Sequence, residues 1–196
     1  MSENEQTPGV DLAVLTPGTL KKTIVMVGMM GAGKTAVGRA LAVRLGVPFL
    51  DSDHEIETAA NLTIPEIFAR DGEPFFREKE RQVISRLLVE QRGVLSTGGG
   101  AFLAPENRRI IKECGVSVWL KADLDVLWNR VKHRDSRPLL QTANPRATLS
   151  ALYDTRVPLY AKADLPVGSD GRASIEDMVD RVLLALKARP DVLEWN

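Results

Sequence analysis

Gly28-Met29-Met30-Gly31-Ala32-Gly33-Lys34-Thr35 sets the class of fold for the whole chain. It has the form G-x-x-x-x-G-K-[ST], with the apolar run Ile24-Val25-Met26-Val27 before it and the helical pattern Thr35 to Leu45 after it. Glycines allow consecutive backbone N–H groups to turn inward around a phosphate chain, where a Cβ would block the approach. The helix that follows aims its unpaired N–H groups at the same anion. Lys34 adds a point charge for the β- and γ-phosphates, and the Thr35 hydroxyl is a hard oxygen ligand for Mg²⁺. A glycine-rich turn that matches by accident lacks both flanks. The segment therefore reads as a nucleotide-binding P-loop.

Outward from it, the chain alternates strand and helix. A first strand, Thr23–Val27, leads into the P-loop, and Gly46 stops the helix that follows. A second strand, Pro48 to Leu50, ends in Asp51-Ser52-Asp53, and a short helix runs from His54 to Ala60. Thr63-Ile64-Pro65-Glu66 is a capping box, Asp71 to Pro74 a turn, and a helix from about Phe75 to Gln91 buries Val83, Ile84, Leu87 and Leu88. Val94 to Thr97 is a third strand running into Gly98-Gly99-Gly100, a helix spans Pro105 to Cys114, and Val116 to Leu120 is a fourth strand. Asp123 is expected to cap a helix reaching His133. Leu165 to Val167 reads as the last strand, and Ser174 opens the final helix, to about Ala188. Five strands alternating with helices mean a parallel sheet covered on both faces. Ligands of such sheets sit beyond the carboxyl ends of the strands. The P-loop, the Asp51/Asp53 pair and the triple glycine all lie there.

The whole chain of 196 residues suits one domain. Residues 21–190 read as that domain, 1–20 as a flexible arm and 191–196 as a tail. Charge is balanced, 26 basic residues against 26 acidic, so no net field argues for nucleic acid or a membrane surface. The single cysteine, Cys114, excludes an intrachain disulfide. Residues 1–20 carry Glu3, Glu5 and Asp11 and no Lys or Arg, unlike a signal peptide, and the longest apolar stretch is too short to span a bilayer. A cytoplasmic protein is the expectation.

Several side chains are candidates for chemistry. Asp51 and Asp53 are two apart, so both face one side if the strand persists. One carboxylate then organises Mg²⁺ and the other orients an acceptor hydroxyl, although Asp before Glu55-Ile56 also suits helix capping. A basic residue near a helix start, as at Arg77, is mildly unfavourable there and so is a candidate anion ligand, against the plainer reading of a solvated charged face. Three successive glycines suggest backbone lying close to a ligand. The polar stretch from about Arg134 to Arg146 reads as a mobile lid, poor in apolar anchors, that folds over bound nucleotide. Arg137 within it is placed to neutralise charge on a migrating phosphoryl group. Arg130 and Arg156 read equally well as surface charges.

From about Lys21 to Ala188 the chain resembles the shikimate kinases. The ordered set carries the resemblance: G-x-x-G-A-G-K-T, D-S-D, F-R-x-x-E (Phe76, Arg77, Glu80), the triple glycine, R-P-L-L (Arg137 to Leu140) and R-x-P-L-Y (Arg156 to Tyr160). The resemblance implies an α/β P-loop NTPase fold, nucleoside monophosphate kinase-like, with an acceptor-binding insert at about 53–81 and a lid at about 134–146. It implies ATP-dependent phosphorylation of the 3-hydroxyl of shikimate, in aromatic amino-acid biosynthesis. Gly31, Ala32, Gly33, Lys34, Thr35 and Ala36 would embrace the ATP phosphates, with Arg130 flanking the adenine and Arg137 reaching ATP from the lid. Thr35 and Asp51 would serve Mg²⁺. Asp53 would bind the shikimate hydroxyls and act as base, Arg77 and Arg156 would grip its carboxylate, and Gly99 would touch it through its backbone. Lys34, Asp53 and Arg137 are then the catalytic set. A monomer acting on ATP and shikimate is expected. The rivals are another small-molecule kinase, such as a gluconate kinase, and a regulatory nucleotide-binding module without chemistry.

Overall fold

A computed structural model describes residues 17–134 and 138–196. The chain opens with β1 (Pro17–Leu20) and β2 (Thr23–Val27), then α1 (Lys34–Leu45), β3 (Phe49–Asp51), α2 (Ser52–Ala60), α3 (Ile64–Asp71) and α4 (Glu73–Glu90). It continues with β4 (Val94–Ser96), α5 (Pro105–Cys114), β5 (Gly115–Ala122), α6 (Leu124–Val131), α7 (Pro145–Tyr160), β6 (Leu165–Ser169), α8 (Ile175–Leu186) and β7 (Leu193–Trp195). The main sheet has the order β3-β4-β2-β5-β6 with every pair parallel. This is the expected P-loop kinase fold.

All five residues of β2 are buried, and alternate side chains of a strand point to opposite faces. Both faces of the sheet are therefore covered, which is why the run Thr23–Val27 is apolar without alternation. The chain leaves β2 toward β3 and β4 on one side and later fills β5 and β6 on the other. The segment after β2 thus sits where the winding reverses, the usual crevice of doubly wound sheets. Helix starts follow their caps: α3 opens with the Thr63/Glu66 capping box and α8 with the Ser174/Asp177 box.

Four expectations need correction. The arm and tail are not wholly free, because β1 and β7 pair antiparallel as a two-stranded ribbon. Leu20, Val192 and Leu193 bury their side chains there, and the Lys21 N–H donates to the Val192 carbonyl at 2.7 Å. Residues 1–16 lie outside the described residues. The second strand ends at Asp51 and Ser52 already begins α2, so Asp51 and Asp53 do not share a strand face. Asp123 precedes α6 without a side-chain capping bond. The stretch read as a lid poor in apolar anchors has one that pins it: Pro138–Leu140 forms a 3₁₀ turn whose Leu140 is buried. Its end is helical, with Arg146 in α7 paired to Asp125. Arg137 lies outside the described residues.

Candidate active site

The P-loop adopts the backbone its glycines were expected to supply. Gly31 and Gly33 have φ of 81° and 93°, and a Cβ on Gly31 would stand 2.7 Å from Val131 Cγ1. Gly33 precedes α1 with no side-chain cap, and the first turn of α1 holds no acidic residue. α3 and α8, by contrast, satisfy their first N–H groups with their own hydroxyls and carboxylates. An uncapped helix start with a glycine backbone before it is an anion site. Lys34 Nζ donates to the carbonyls of Gly28 at 2.8 Å and Met29 at 3.0 Å. Arg130, on α6, donates to the Gly31 carbonyl at 3.0 Å, the Ala32 carbonyl at 3.4 Å and Ser169 Oγ at 3.1 Å. It thereby ties the loop to the end of β6.

The loop floors a cleft of about 1200 Å³ that Gly31 to Ala36, Asp53, Gly98, Gly99, Arg130, Arg134 and the start of α8 line. Thr35 Oγ1 is 3.4 Å from Ser96 Oγ at the end of β4. Asp51 pairs with Ser96 in register, and its Oδ1 accepts from the His54 N–H at 3.1 Å. Asp51 is therefore the N-cap of α2, the plainer of its two readings, yet it stays on the strand next to Thr35's partner. Asp53, two residues on, points from the first turn of α2 into the cleft.

The triple glycine has a reason the sequence reading did not contain. A Cβ on Gly98 would lie 2.8 Å from Asp53 Oδ1, one on Gly99 3.1 Å from Arg156 Nη1, and one on Gly100 would collide with the Arg77 guanidinium. Each glycine makes room for one candidate side chain. Three segments distant in sequence (α2, α4 and α7) thus bring a carboxylate and two guanidiniums against one turn.

Of the charges behind the turn, Glu80 and Arg156 are buried and Arg77 is half-buried. Glu80, only 1% exposed, accepts from Arg77 Nη1 at 2.8 Å, and Arg77 also pairs with Glu73 at 3.5 Å and lies over the Phe76 ring. Arg156 is 7% exposed. Among the described residues no carboxylate forms an ion pair with it. Asp53 Oδ1 and Glu80 Oε2 are buried and accept no hydrogen bond from the described residues. Burial, with Glu80 and Asp51 adding like charge and Lys34 opposing, pushes the Asp53 carboxyl up to about 6. Burial raises Glu80 as well, against the pull of Arg77 and Arg156.

Sequence reasoning gave Glu80 and Tyr160 no role of their own. For Glu80 a signal existed: it falls on the buried stripe of α4 with Phe76, Val83, Ile84 and Leu87, where an unpaired charge is costly.

The shikimate kinase family model matches residues 30–187. The chain belongs to the shikimate kinase family. It is 74% identical over 177 residues to the shikimate kinase of Ruegeria pomeroyi, covering 90% of this chain and 91% of that protein. It is 70% identical to that of Cereibacter sphaeroides, over 90% of this chain and 88% of the other. Among solved structures, shikimate kinase from Acinetobacter baumannii in complex with shikimate superposes with a TM-score of 0.81 at 40% identity, covering 86% of this chain and 94% of that one. A gluconokinase from Sinorhizobium meliloti shares 20% identity at a TM-score of 0.57, covering 87% and 94%, which speaks for the fold alone. Membership makes the protein a small-molecule kinase. The regulatory module without chemistry is set aside.

Proposed function

We propose that the protein transfers the γ-phosphoryl group of ATP to the 3-hydroxyl of shikimate, giving shikimate 3-phosphate and ADP in the biosynthesis of aromatic amino acids. The observation that carries this reading is the convergence of Asp53, Arg77 and Arg156 on Gly98–Gly100, at one end of a cleft floored by the P-loop. A buried cation without a carboxylate partner is costly unless an anion arrives, and two planar guanidiniums suit a planar carboxylate. Asp53, at the edge of the cleft, is positioned to hold the ring hydroxyl beside that carboxylate.

In this reading the 3-hydroxyl donates to Asp53, which takes its proton as the oxygen bonds to the γ-phosphorus and the bond to the β–γ bridging oxygen breaks. The N–H groups at the start of α1 and the Lys34 ammonium hold the phosphates, and Arg130 flanks the adenine. Arg137, outside the described residues, is assigned to the migrating phosphoryl group on the strength of the family motif. Among the described residues no group of three or more His, Cys, Asp or Glu is placed to hold a metal alone. Thr35 and Asp51, both beside Ser96, have hard oxygens that would hold Mg²⁺ together with phosphate and water oxygens. Bound there, Mg²⁺ would neutralise phosphate charge. Action as a monomer, in the cytoplasm, completes the proposal.

An assay of ADP release with shikimate, gluconate and no acceptor tests the reading. Shikimate is expected to drive release, and preference for gluconate would sink it. Two substitutions refine it. Arg77→Lys keeps the charge but loses the fork, and it should raise KM for shikimate about tenfold while KM for ATP barely moves. Equal rises would assign Arg77 a structural task. Gly100 has φ −91° and ψ −9°, which alanine adopts without strain, so Gly100→Ala acts only through its Cβ against Arg77. Melting should fall by a few degrees, because a displaced Arg77 loosens its pair with buried Glu80, while shikimate KM rises about tenfold or more. A variant that melts much lower with its KM intact would contradict this reading of the turn.

A further inference from the structure

Tyr160 ends α7 with its side chain fully buried, and its hydroxyl donates to the Gly99 carbonyl. Its position one helical turn beyond Arg156 puts the two side chains on the same face of α7. Both flank one atom: the site a Gly99 Cβ would take is 3.1 Å from Arg156 Nη1 and 4.0 Å from Tyr160 Oη. Burial raises the Tyr160 phenol, and the Arg156 guanidinium beside it opposes that rise. With its proton given to Gly99, the hydroxyl keeps its lone pairs for a neighbouring donor, and the Arg156 guanidinium flanks the same glycine. On its other side the ring lies 6.3 Å, centroid to centroid, from Trp119 of β5.

A phenylalanine would fill the same volume, so packing does not explain the hydroxyl. A turn of three glycines has little to hold its peptide planes, and each plane is a rigid trans unit. With the Gly99 carbonyl held by Tyr160, the N–H of Gly100 in the same plane points away from Tyr160. The Arg156 guanidinium, one turn back on α7, lies against the same glycine. We propose that Tyr160 is a positioning residue for the acceptor: it ties Arg156 and the Gly98–Gly100 turn into one unit, so that guanidinium and peptide groups meet the acceptor's carboxylate in a fixed arrangement. The proposal rests on the reading of Arg156 as a carboxylate ligand.

Tyr160→Phe removes only the hydroxyl. The expected result is a KM for shikimate raised about tenfold, with kcat and KM for ATP within about threefold of wild type. A purely structural tyrosine would lower melting and weaken both substrates alike, and that result, or an unchanged shikimate KM, would overturn the proposal. In a cycle with Arg156→Lys, the double variant should have a shikimate KM within about twofold of Arg156→Lys alone, because the two act as one unit. Multiplying effects would contradict the coupling. If Tyr160→Phe does not fold, wild-type sequence labelled with 3-fluorotyrosine serves instead. The chain has two tyrosines, Tyr153 and Tyr160, and Tyr153→Phe assigns the resonances. Shikimate alone should move the Tyr160 signal; a signal that stays put overturns the proposal. Wild-type turnover with shikimate is measured first: its absence removes the functional reading, whereas turnover with an indifferent Tyr160 removes only this one.

Discussion

Asp53→Asn is expected to cut turnover about 10²- to 10⁴-fold and, at the same time, to make the protein harder to melt at pH 8. Both effects come from one placement. The Asp53 carboxyl is buried beside Glu80 and Asp51 and titrates at about 6 in the folded protein against 3.8 for the free side chain. Between those values the native state binds more protons than the unfolded chain, so stability falls as pH rises from about 4 to 6 and the full cost persists above 6. The shift corresponds to about 3 kcal/mol, already net of the attraction to Lys34. Asparagine carries no charge to desolvate, so its melting temperature should exceed wild type by several degrees at pH 8 and match it near pH 4. Lower melting at pH 8 would show that ionised Asp53 is not strained. The same placement sets the activity profile. In its proposed role as base Asp53 must be deprotonated, so kcat/KM for shikimate should fall on the acid side with an apparent pKa near 6.

Lys34→Ala is the second large effect. The ammonium bridges the carbonyls of Gly28 and Met29 at the mouth of the loop, outside the apolar core. Its loss should lower kcat/KM by about 10³-fold, roughly 4 kcal/mol of barrier, with melting changed by only a few degrees. Turnover within about tenfold of wild type would remove the ammonium from the phosphate-binding machinery.

Much of this was legible in the sequence because periodicity and glycine placement are local. The P-loop, the capping boxes at Thr63 and Ser174, and the helix Pro105–Cys114 were read where the structure has them. The errors come from long-range partners. Pro17–Leu20 is a strand because Leu193–Trp195, far along the chain, supplies its ladder. No local pattern in a four-residue segment announces that. Asp51 ends its strand because its carboxylate caps the helix behind it, so a local competition was resolved the other way. The triple glycine was read as backbone close to a ligand, and its second reason, room for three side chains, stayed hidden. The side chains that require it, Asp53, Arg77 and Arg156, come from three helices, and only the packed fold brings them to that turn. Tyr160 was visible in a motif, but its partner Gly99 is 61 residues away.

Mixing wild-type protein with ATP, Mg²⁺ and shikimate, and correlating the ³¹P signal of the product with the ring protons, shows whether this cleft places the 3-hydroxyl of shikimate against the γ-phosphate of ATP. One phosphomonoester, coupled to the proton on carbon 3 and formed in step with ADP, is the expected result. A phosphate on another oxygen, or ADP accompanied only by free phosphate, would contradict the account.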